Sequence, residues 1–350
     1  MKVKIYGAGS IGNHLTQACR RMGWEVSVVD QDINALNRMK DDIYPTRYGS
    51  WDESISLYHS GNEPKGGFDM IMIGTPPHVR MKLAIQALEE KPKILFLEKP
   101  LTFPFDTDLK KFLLKYGKQK KTIAVVGYDH AVSKSVERLV ALLKEKIIGA
   151  PLTLDVEFRE HWKGIFKAHP WLSGPADTYL GYWQKGGGAS GEHSHALHLW
   201  YYIAKVSGMG SWAKSQAVLK LEKKGKAEYD SLASFQFETE KGKTGRVIQD
   251  VITYPTRKWI RAQGEKGFIE WICNGHQNGD IIRYAGEEDS VKEEIFEKKR
   301  PDDFFKEMLH VQDILDGKVK PKDSPISLEN GVAVIRLLEK SWRDKGVVRK

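Results

Sequence analysis

The first thirty residues constrain this chain more than any other stretch. Lys2–Tyr6 reads as a short buried strand, and Gly7-Ala8-Gly9-Ser10-Ile11-Gly12 follows it directly. Leu15, Ala18, Cys19 and Met22 then fall at helical spacing, and Glu25–Val29 reads as a second strand ending in Asp30. Each glycine answers a physical need. Gly7 permits a tight turn, Gly9 leaves no Cβ where an anion must approach, and Gly12 lets the helix pack close to the strand. The helix N-terminus adds N–H groups without helical partners and the positive end of its dipole. Strand, glycine turn, helix, strand and acid in this order form a dinucleotide fingerprint, with the pyrophosphate expected on Gly9, Ser10 and Ile11.

Asp30 stands 18 residues past Gly12. A carboxylate there can accept both hydroxyls of an adenosine ribose. A 2′-phosphate would be repelled and would want an Arg or Lys alongside, yet the chain continues Gln31-Asp32. NAD is therefore expected in preference to NADP.

The following residues repeat the alternation. A short helix is expected around Ile33–Met39, then a third strand with another helix within Tyr48–His59. Asp69–Ile73 is a strand closed by Gly74-Thr75-Pro76-Pro77, then a helix runs from His78 to Glu89. Lys93–Leu97 ends in Glu98-Lys99-Pro100, a helix covers about Asp106–Tyr116, and Thr122–Val126 ends in Gly127-Tyr128-Asp129-His130. The apolar runs are continuous, as in a parallel sheet buried on both faces. Ligands of such sheets lie outside the carboxyl ends of the strands. Gly7–Gly12, Asp30, Gly74–Pro77, Glu98, Lys99, Tyr128, Asp129 and His130 should thus converge on one edge, with Gly74, Thr75, Pro76, Pro77, Glu98, Lys99 and Asp129 toward the cofactor and Tyr128 and His130 toward a substrate.

After Gly149-Ala150-Pro151 the pattern changes to alternating strands joined by charged turns such as Lys223-Lys224-Gly225-Lys226. This predicts an open, mostly antiparallel sheet with one face covered by helices at about Gly191–Val206 and Asp303–Asp316. Ser327–Asp344 reads as a last amphipathic helix. The expected fold is α/β: a Rossmann domain with a doubly wound parallel sheet over 1–130, a substrate and oligomerisation α+β domain over 131–325, and a C-terminal helix and tail over 326–350. Ser231–Phe237 is expected to put aromatics on a face the helices do not reach, which points to a homo-oligomer, a dimer or tetramer, through this sheet.

Length and composition agree. At 350 residues with 41% apolar content, two domains with real cores are expected. No run reaches transmembrane length, and a core strand at the N-terminus argues against a signal peptide. Cys19 and Cys273 are too few for a disulfide framework or a Cys-based zinc site, which suits the cytoplasm. The formal charge is +9, with a lysine cluster at 110, 111, 115, 118, 120 and 121. These lysines punctuate Phe112, Leu113 and Leu114, so they read as a solvated helix face, and neither nucleic acid nor membrane is an expected partner. A mild basic excess suits an anionic substrate such as a sugar phosphate or nucleotide sugar.

Two stretches can carry chemistry. Lys99 follows a buried strand on the cofactor edge, where partial desolvation beside a cationic ring makes an amine a usable proton donor or acceptor. As a surface lysine at a strand–loop junction it would have no such role. The second stretch is Gly186-Gly187-Gly188-Ala189-Ser190-Gly191-Glu192-His193-Ser194-His195-Ala196-Leu197-His198. On one helix Glu192, His195 and His198 step by three residues, about 60° each, and share a broad face. A histidine with a glutamate one turn before it suits a general base. Glu and two His can also bind zinc, but the spacing is not that of helical His-x-x-x-His sites, so no metal is expected. A purely structural role for the histidines stays open. Trp162, Trp171, Tyr179, Tyr182 and Trp183 precede the glycine run and offer aromatic faces, some of them for the core alone.

These motifs, in this order and with Gly264-Glu265-Lys266-Gly267, resemble the glucose–fructose oxidoreductase / inositol dehydrogenase (Gfo/Idh/MocA) family over nearly the whole chain. The Glu98-Lys99-Pro100 turn is the most specific mark. The resemblance implies NAD(P)-dependent oxidation or reduction of a sugar, inositol or nucleotide-sugar derivative, a catalytic Lys99, and a final helix packed back on the Rossmann domain. With it, His195 takes the general-base role, Lys99 stabilises the same oxygen, and Glu192 orients His195 or binds a hydroxyl. Trp162, Trp183 and His198 join Tyr128 and His130 as substrate contacts. The match has departures. The family's Asp-x-x-x-His after the glycines becomes Glu192 with Ala196 four residues on. Its Asn-Arg becomes Asp129-His130, and Arg80 replaces a histidine after the Thr-Pro. The same fold without turnover, as an NAD- and sugar-binding regulator, is the alternative.

Overall fold

The computed structural model describes residues 1–119, 121–167, 171–299 and 301–346. Lys120 of the lysine cluster and residues 347–350 of the C-terminal tail lie outside the described residues. The chain divides into two compact units. The first comprises Met1–Thr102, Asp106–Asp129 and Pro301–Glu329; the second comprises Phe103–Phe105, His130–Arg300 and Asn330–Lys350.

The first unit carries a six-stranded sheet. Its strands are β1 (Lys2–Tyr6), β2 (Glu25–Asp30), β3 (Ile55–His59), β4 (Met70–Ile73), β5 (Ile94–Glu98) and β6 (Ile123–Gly127), in the order β3-β2-β1-β4-β5-β6. Every pairing is parallel. β4 and β5 are buried along their whole length, which is why their sequences are apolar runs without alternation. The helices are α1 (Ser10–Arg21), α2 (Ile33–Arg38), α3 (Tyr44–Tyr48), α4 (Pro77–Ala87) and α5 (Thr107–Tyr116). The third strand, expected with another helix within Tyr48–His59, is β3 at 55–59, a half-buried Ile-Ser-Leu-Tyr-His edge strand. The helix before it, α3, ends at Tyr48, where Gly49 at φ 98° stops it.

The second unit begins with α6 (Lys134–Lys144), β7 (Pro151–Arg159), α7 (Trp162–Lys167), α8 (Gly188–Glu192) and α9 (Ser194–Val206). The strands β8 (Trp212–Lys224), β9 (Ala227–Thr239), β10 (Thr244–Asp250), β11 (Arg257–Gly264), β12 (Phe268–His276), β13 (Gly279–Ala285) and β14 (Lys292–Glu297) follow. They form an eight-stranded sheet, β14-β13-β12-β11-β7-β10-β9-β8, antiparallel except where β10 meets β7. α6 and α9 pack on one face.

α10 (Asp302–Leu315) belongs to the first unit, packed on α1, although the sequence suggested the second domain. Arg21 of α1 pairs with Asp302 at 2.8 Å, and His14 stacks on Phe304 with centroids 4.6 Å apart. After it the chain bridges to the edge of β6 through Val125 and Ser327. Most of α11 (Leu328–Asp344), from residue 330 onward, groups with the second unit.

The aromatics of 231–237 are not on an uncovered face. Phe235 and Phe237 are buried, 0% and 3% exposed, and Phe237 packs against Trp200 of α9 at 4.4 Å. The exposed apolar side chains of this unit are elsewhere, Val218 and Tyr254 among them. Charged pairs run along the sheet, including Arg246–Asp155 at 3.2 Å and Arg257–Glu157 at 2.9 Å.

Candidate active site

In the first unit the fingerprint is closed by hydrogen bonds. The Ala8 amide donates to Asp30 at 2.7 Å and the Asp32 amide donates to its other oxygen at 2.9 Å. The acid after β2 is therefore fixed against the glycine turn. A Cβ on Gly12 would sit 1.8 Å from the Gly7 carbonyl oxygen, so α1 reaches its place only with glycine there. A Cβ on Gly9 would meet nothing within 4 Å. That open side lies at the N-cap of α1, whose first turn holds no acid. Ser10 and Ile11 open the same turn. An open cradle of backbone N–H groups with a fixed acid beside it fits a dinucleotide pyrophosphate and ribose. Arg47 of α3 donates to the Ser10 carbonyl at 3.1 Å and to its hydroxyl at 3.0 Å, adding a cation at the same helix end.

The ends of β4 and β5 are tied together by Arg80 of α4, which is 2% exposed. Its guanidinium donates to the carbonyls of Thr75, Glu98 and Pro100. Gly74, Thr75, Pro76, Pro77, Glu98, Lys99 and Pro100 thus form one pinned rim, and the Lys99–Pro100 peptide is cis. Glu98 is buried, and its side chain accepts from the Lys99 amide at 3.0 Å. Burial pushes its carboxyl up to about 7, against the pull of Arg80 and Lys99 and with a further push from Asp129. Asp129 and the fully buried Tyr128 follow β6 at the same sheet edge.

In the second unit the glycine run does not lead into one continuous helix. α8 ends at Glu192, His193 breaks the geometry, and α9 starts at Ser194. The single helix expected to carry Glu192, His195 and His198 is thus interrupted at His193, between the glutamate and the two histidines. The break is paid for by a buried acid from β9. Asp230, 0% exposed, accepts from the Ser190 amide at 2.7 Å and from its hydroxyl at 3.2 Å. Gly188 lies at φ +80°, and a Cβ there would fall 2.0 Å from an Asp230 oxygen. Burial raises the Asp230 carboxyl to about 7, against the pull of the Ser190 hydrogen bonds. Gln249 of β10 donates to the His193 carbonyl.

His130 and His195 come together, ring centroids 4.9 Å apart, with Phe158 stacked on His195 at 6.1 Å and Trp271 beside His130 at 5.8 Å. Both histidines keep a small exposure of 9%. His198 is fully buried and stacks on Tyr202. Trp162 packs into a small apolar cluster with Tyr229 and Leu180, and Trp183 stacks on Trp342 at 4.4 Å. Each of these tryptophans packs against at least one neighbouring ring.

No family model matches the chain, and no curated protein matches it in sequence. Solved structures do. One is an oxidoreductase from Agrobacterium radiobacter in complex with NAD+, L-tartaric acid and magnesium, with TM-score 0.76 and 18% identity over 100% of this chain and 97% of that one. A levoglucosan dehydrogenase in complex with NADH and levoglucosan matches with TM-score 0.76 and 14% identity, over 98% and 96%. The chain has the Gfo/Idh/MocA fold. Gal80p from Saccharomyces cerevisiae, solved as a super-repressor mutant, is also similar, with TM-score 0.75 and 12% identity over 99% and 96%.

Within this Gfo/Idh/MocA fold, sequence reasoning missed Arg47, Arg80, Asp230 and Gln249. Arg80 was visible as a departure from the family pattern. Its place in the first turn of α4, five residues past Thr75, was the signal that it returns to the strand end. Asp230 and Gln249 face α8 and α9 from strands far along the chain, and no local pattern marks them.

Proposed function

We propose that this protein is an NAD-dependent oxidoreductase acting on a carbinol carbon of a sugar, inositol or nucleotide-sugar derivative. The observation that carries the reading is the closed fingerprint: Asp30 held by the Ala8 amide beside the open side of Gly9. NAD, bound across the first unit, supplies hydride acceptance or donation at its nicotinamide ring. Asp30 accepts the ribose hydroxyls and disfavours NADP. Lys99 hydrogen-bonds the carbinol oxygen and stabilises the charge that develops on it. His195 takes or returns the hydroxyl proton, with His130 at its edge. Glu192 orients His195 or binds a substrate hydroxyl. We assign no metal, and place the protein in the cytoplasm as a homo-oligomer through the second sheet. Cys19 and Cys273 form no disulfide, and no helix among the described residues is long and apolar enough to cross a membrane.

Incubation with NAD+ and a panel of sugars, cyclitols and nucleotide sugars, followed by NADH absorbance, tests this. Turnover with any member supports it. A likeness to Gal80p favours a second reading, an NAD- and sugar-binding regulator without turnover. Saturable NAD and sugar binding with no NADH formed over the panel would favour that reading. Turnover that survives EDTA is expected; loss with EDTA and recovery with zinc would instead assign a metal.

A further inference from the structure

Glu307 has no task in the reading above. It lies midway along α10, whose neighbouring residues are anchored on α1. Phe304 stacks on His14, Arg21 lies over Phe305 at 4.0 Å, and the Met308 sulfur is 3.7 Å from Cys19 Sγ. Glu307 itself is 0% exposed, and neither carboxyl oxygen has a hydrogen-bond partner. An ionised carboxylate buried in this way is too costly to keep, so the group holds its proton. The charged groups that act on it are Asp129, Glu98 and Asp303, all acids, and with burial they drive its proton affinity well above the ordinary carboxylate value.

Glu98 is the second member of this arrangement, buried at the end of β5. Arg80 and Lys99 favour its charge, while Asp129 opposes it. His14 is engaged with Tyr48 at 2.6 Å, Arg21 with Asp302, and His310, further along α10, with Ser324 at 2.8 Å. Burial opposes the ionised form of both carboxyls, and a cation arriving beside them favours it. In a sheet of this strand order a dinucleotide lies across the carboxyl ends. Asp30 marks the ribose end at β2, so the nicotinamide half extends toward β5 and β6, where Glu98 and Asp129 stand.

We propose that Glu98 and Glu307 are a proton-holding pair that releases a proton when the oxidised dinucleotide binds, so that the first unit tells NAD+ from NADH by charge. The proposal rests on the NAD reading of the same unit. The oxidised ring is a cation and the reduced ring is neutral. A cation beside the pair favours its ionised form, and by linkage the ionised form binds the cation more tightly. NAD+ affinity therefore rises with pH while the pair titrates and levels off above it. NADH affinity stays flat.

Calorimetric titration of the full-length protein with NAD+ and with NADH, between pH 6 and 8, tests this. Repeating it in buffers of different ionisation heat reads the protons released, with no substrate and no variant needed. The expected result is proton release with NAD+ only. NAD+ affinity should strengthen by up to about tenfold per pH unit, the limit for one linked proton. Glu307→Gln removes one of the two members able to release a proton, so that dependence should shrink over this range while NADH affinity is unchanged. Equal pH dependence for the two cofactors in the wild-type protein overturns the pair and leaves the NAD reading intact. Retention of the full dependence in a folded Glu307→Gln protein does the same. Absence of binding by either cofactor at every pH overturns both.

Discussion

Asp30 holds the Ala8 amide at 2.7 Å, so the acid that closes β2 and the turn that follows β1 form one hydrogen-bonded unit. The acid has a second oxygen on the Asp32 amide, which fixes its plane. A carboxylate held in this way is ready for two vicinal hydroxyls and hostile to a phosphate in their place.

Asp30→Ala should therefore weaken NAD+ by about tenfold to a hundredfold, the loss expected for hydrogen bonds to a charged group. NADP+ should be affected much less, so the preference narrows. Calorimetry with both cofactors measures it. Equal dissociation constants for NAD+ and NADP+ in the wild-type protein would refute the role given to Asp30.

Lys99→Ala and His195→Ala should each lower turnover roughly 10²–10⁴-fold, the range for a positioned acid or base. NAD+ affinity should change little. If both groups serve one oxygen, the double variant loses less than the product of the single effects. His198→Ala, at a fully buried ring stacked on Tyr202, should change stability more than turnover. Near-normal turnover in His195→Ala, with loss in Glu192→Ala or His193→Ala, would move the base to another residue.

The Asp230 carboxyl, raised by burial to about 7, has a definite sign in stability. The unfolded chain ionises first, near the ordinary value of about 4. The acid's contribution is therefore present below about pH 4 and is lost as pH climbs to about 7. Asp230→Asn removes this titration. Its stability relative to wild type should improve with rising pH by on the order of 1 kcal/mol per unit across that window. Urea midpoints at pH 4.5 and 7.5 report it, and a difference that stays constant would mean that Asp230 titrates alike in both states.

Light scattering at micromolar concentration should report a multiple of the 39.8 kDa chain. Phe235 and Phe237 are buried, Phe237 against Trp200 of α9, whereas Val218 and Tyr254 are exposed and available to a second copy. A species of about 40 kDa alone would count against the homo-oligomer.

What was legible in the sequence followed from local pattern. Gly7, Gly9 and Gly12 sit between two strands with Asp30 at the end, and every part of that reading is a short-range constraint. β4, β5 and β6 announce themselves because burial on both faces leaves them uniformly apolar. β3 was bounded only loosely, within Tyr48–His59, because an edge strand with exposed Ser56 and His59 does not need that pattern. The break at His193 was invisible for another reason. Gly191 and Ser194 only weaken a helix between Gly188 and His198 without placing a break at His193, and the break is supported by Asp230 and Gln249 from separate strands. Glu307 was equally silent, since a glutamate on an amphipathic helix ordinarily faces water.

α10 gives the first unit a history as well as a shape. Its sheet ends at residue 127, but the helix that buries Cys19 and carries Glu307 begins at 302. A ribosome adding about 5–20 residues per second completes the second sheet before that helix emerges. For roughly ten seconds or more the nascent Rossmann sheet stands with α1 uncovered on the side that Phe304 and Met308 will occupy. A chain cut after residue 130 would remain in that condition permanently, an apolar helix face open to aggregation and a cofactor edge without its second buried acid. The dinucleotide unit is thus completed only after the second sheet has been made, although its signature ends at Asp30.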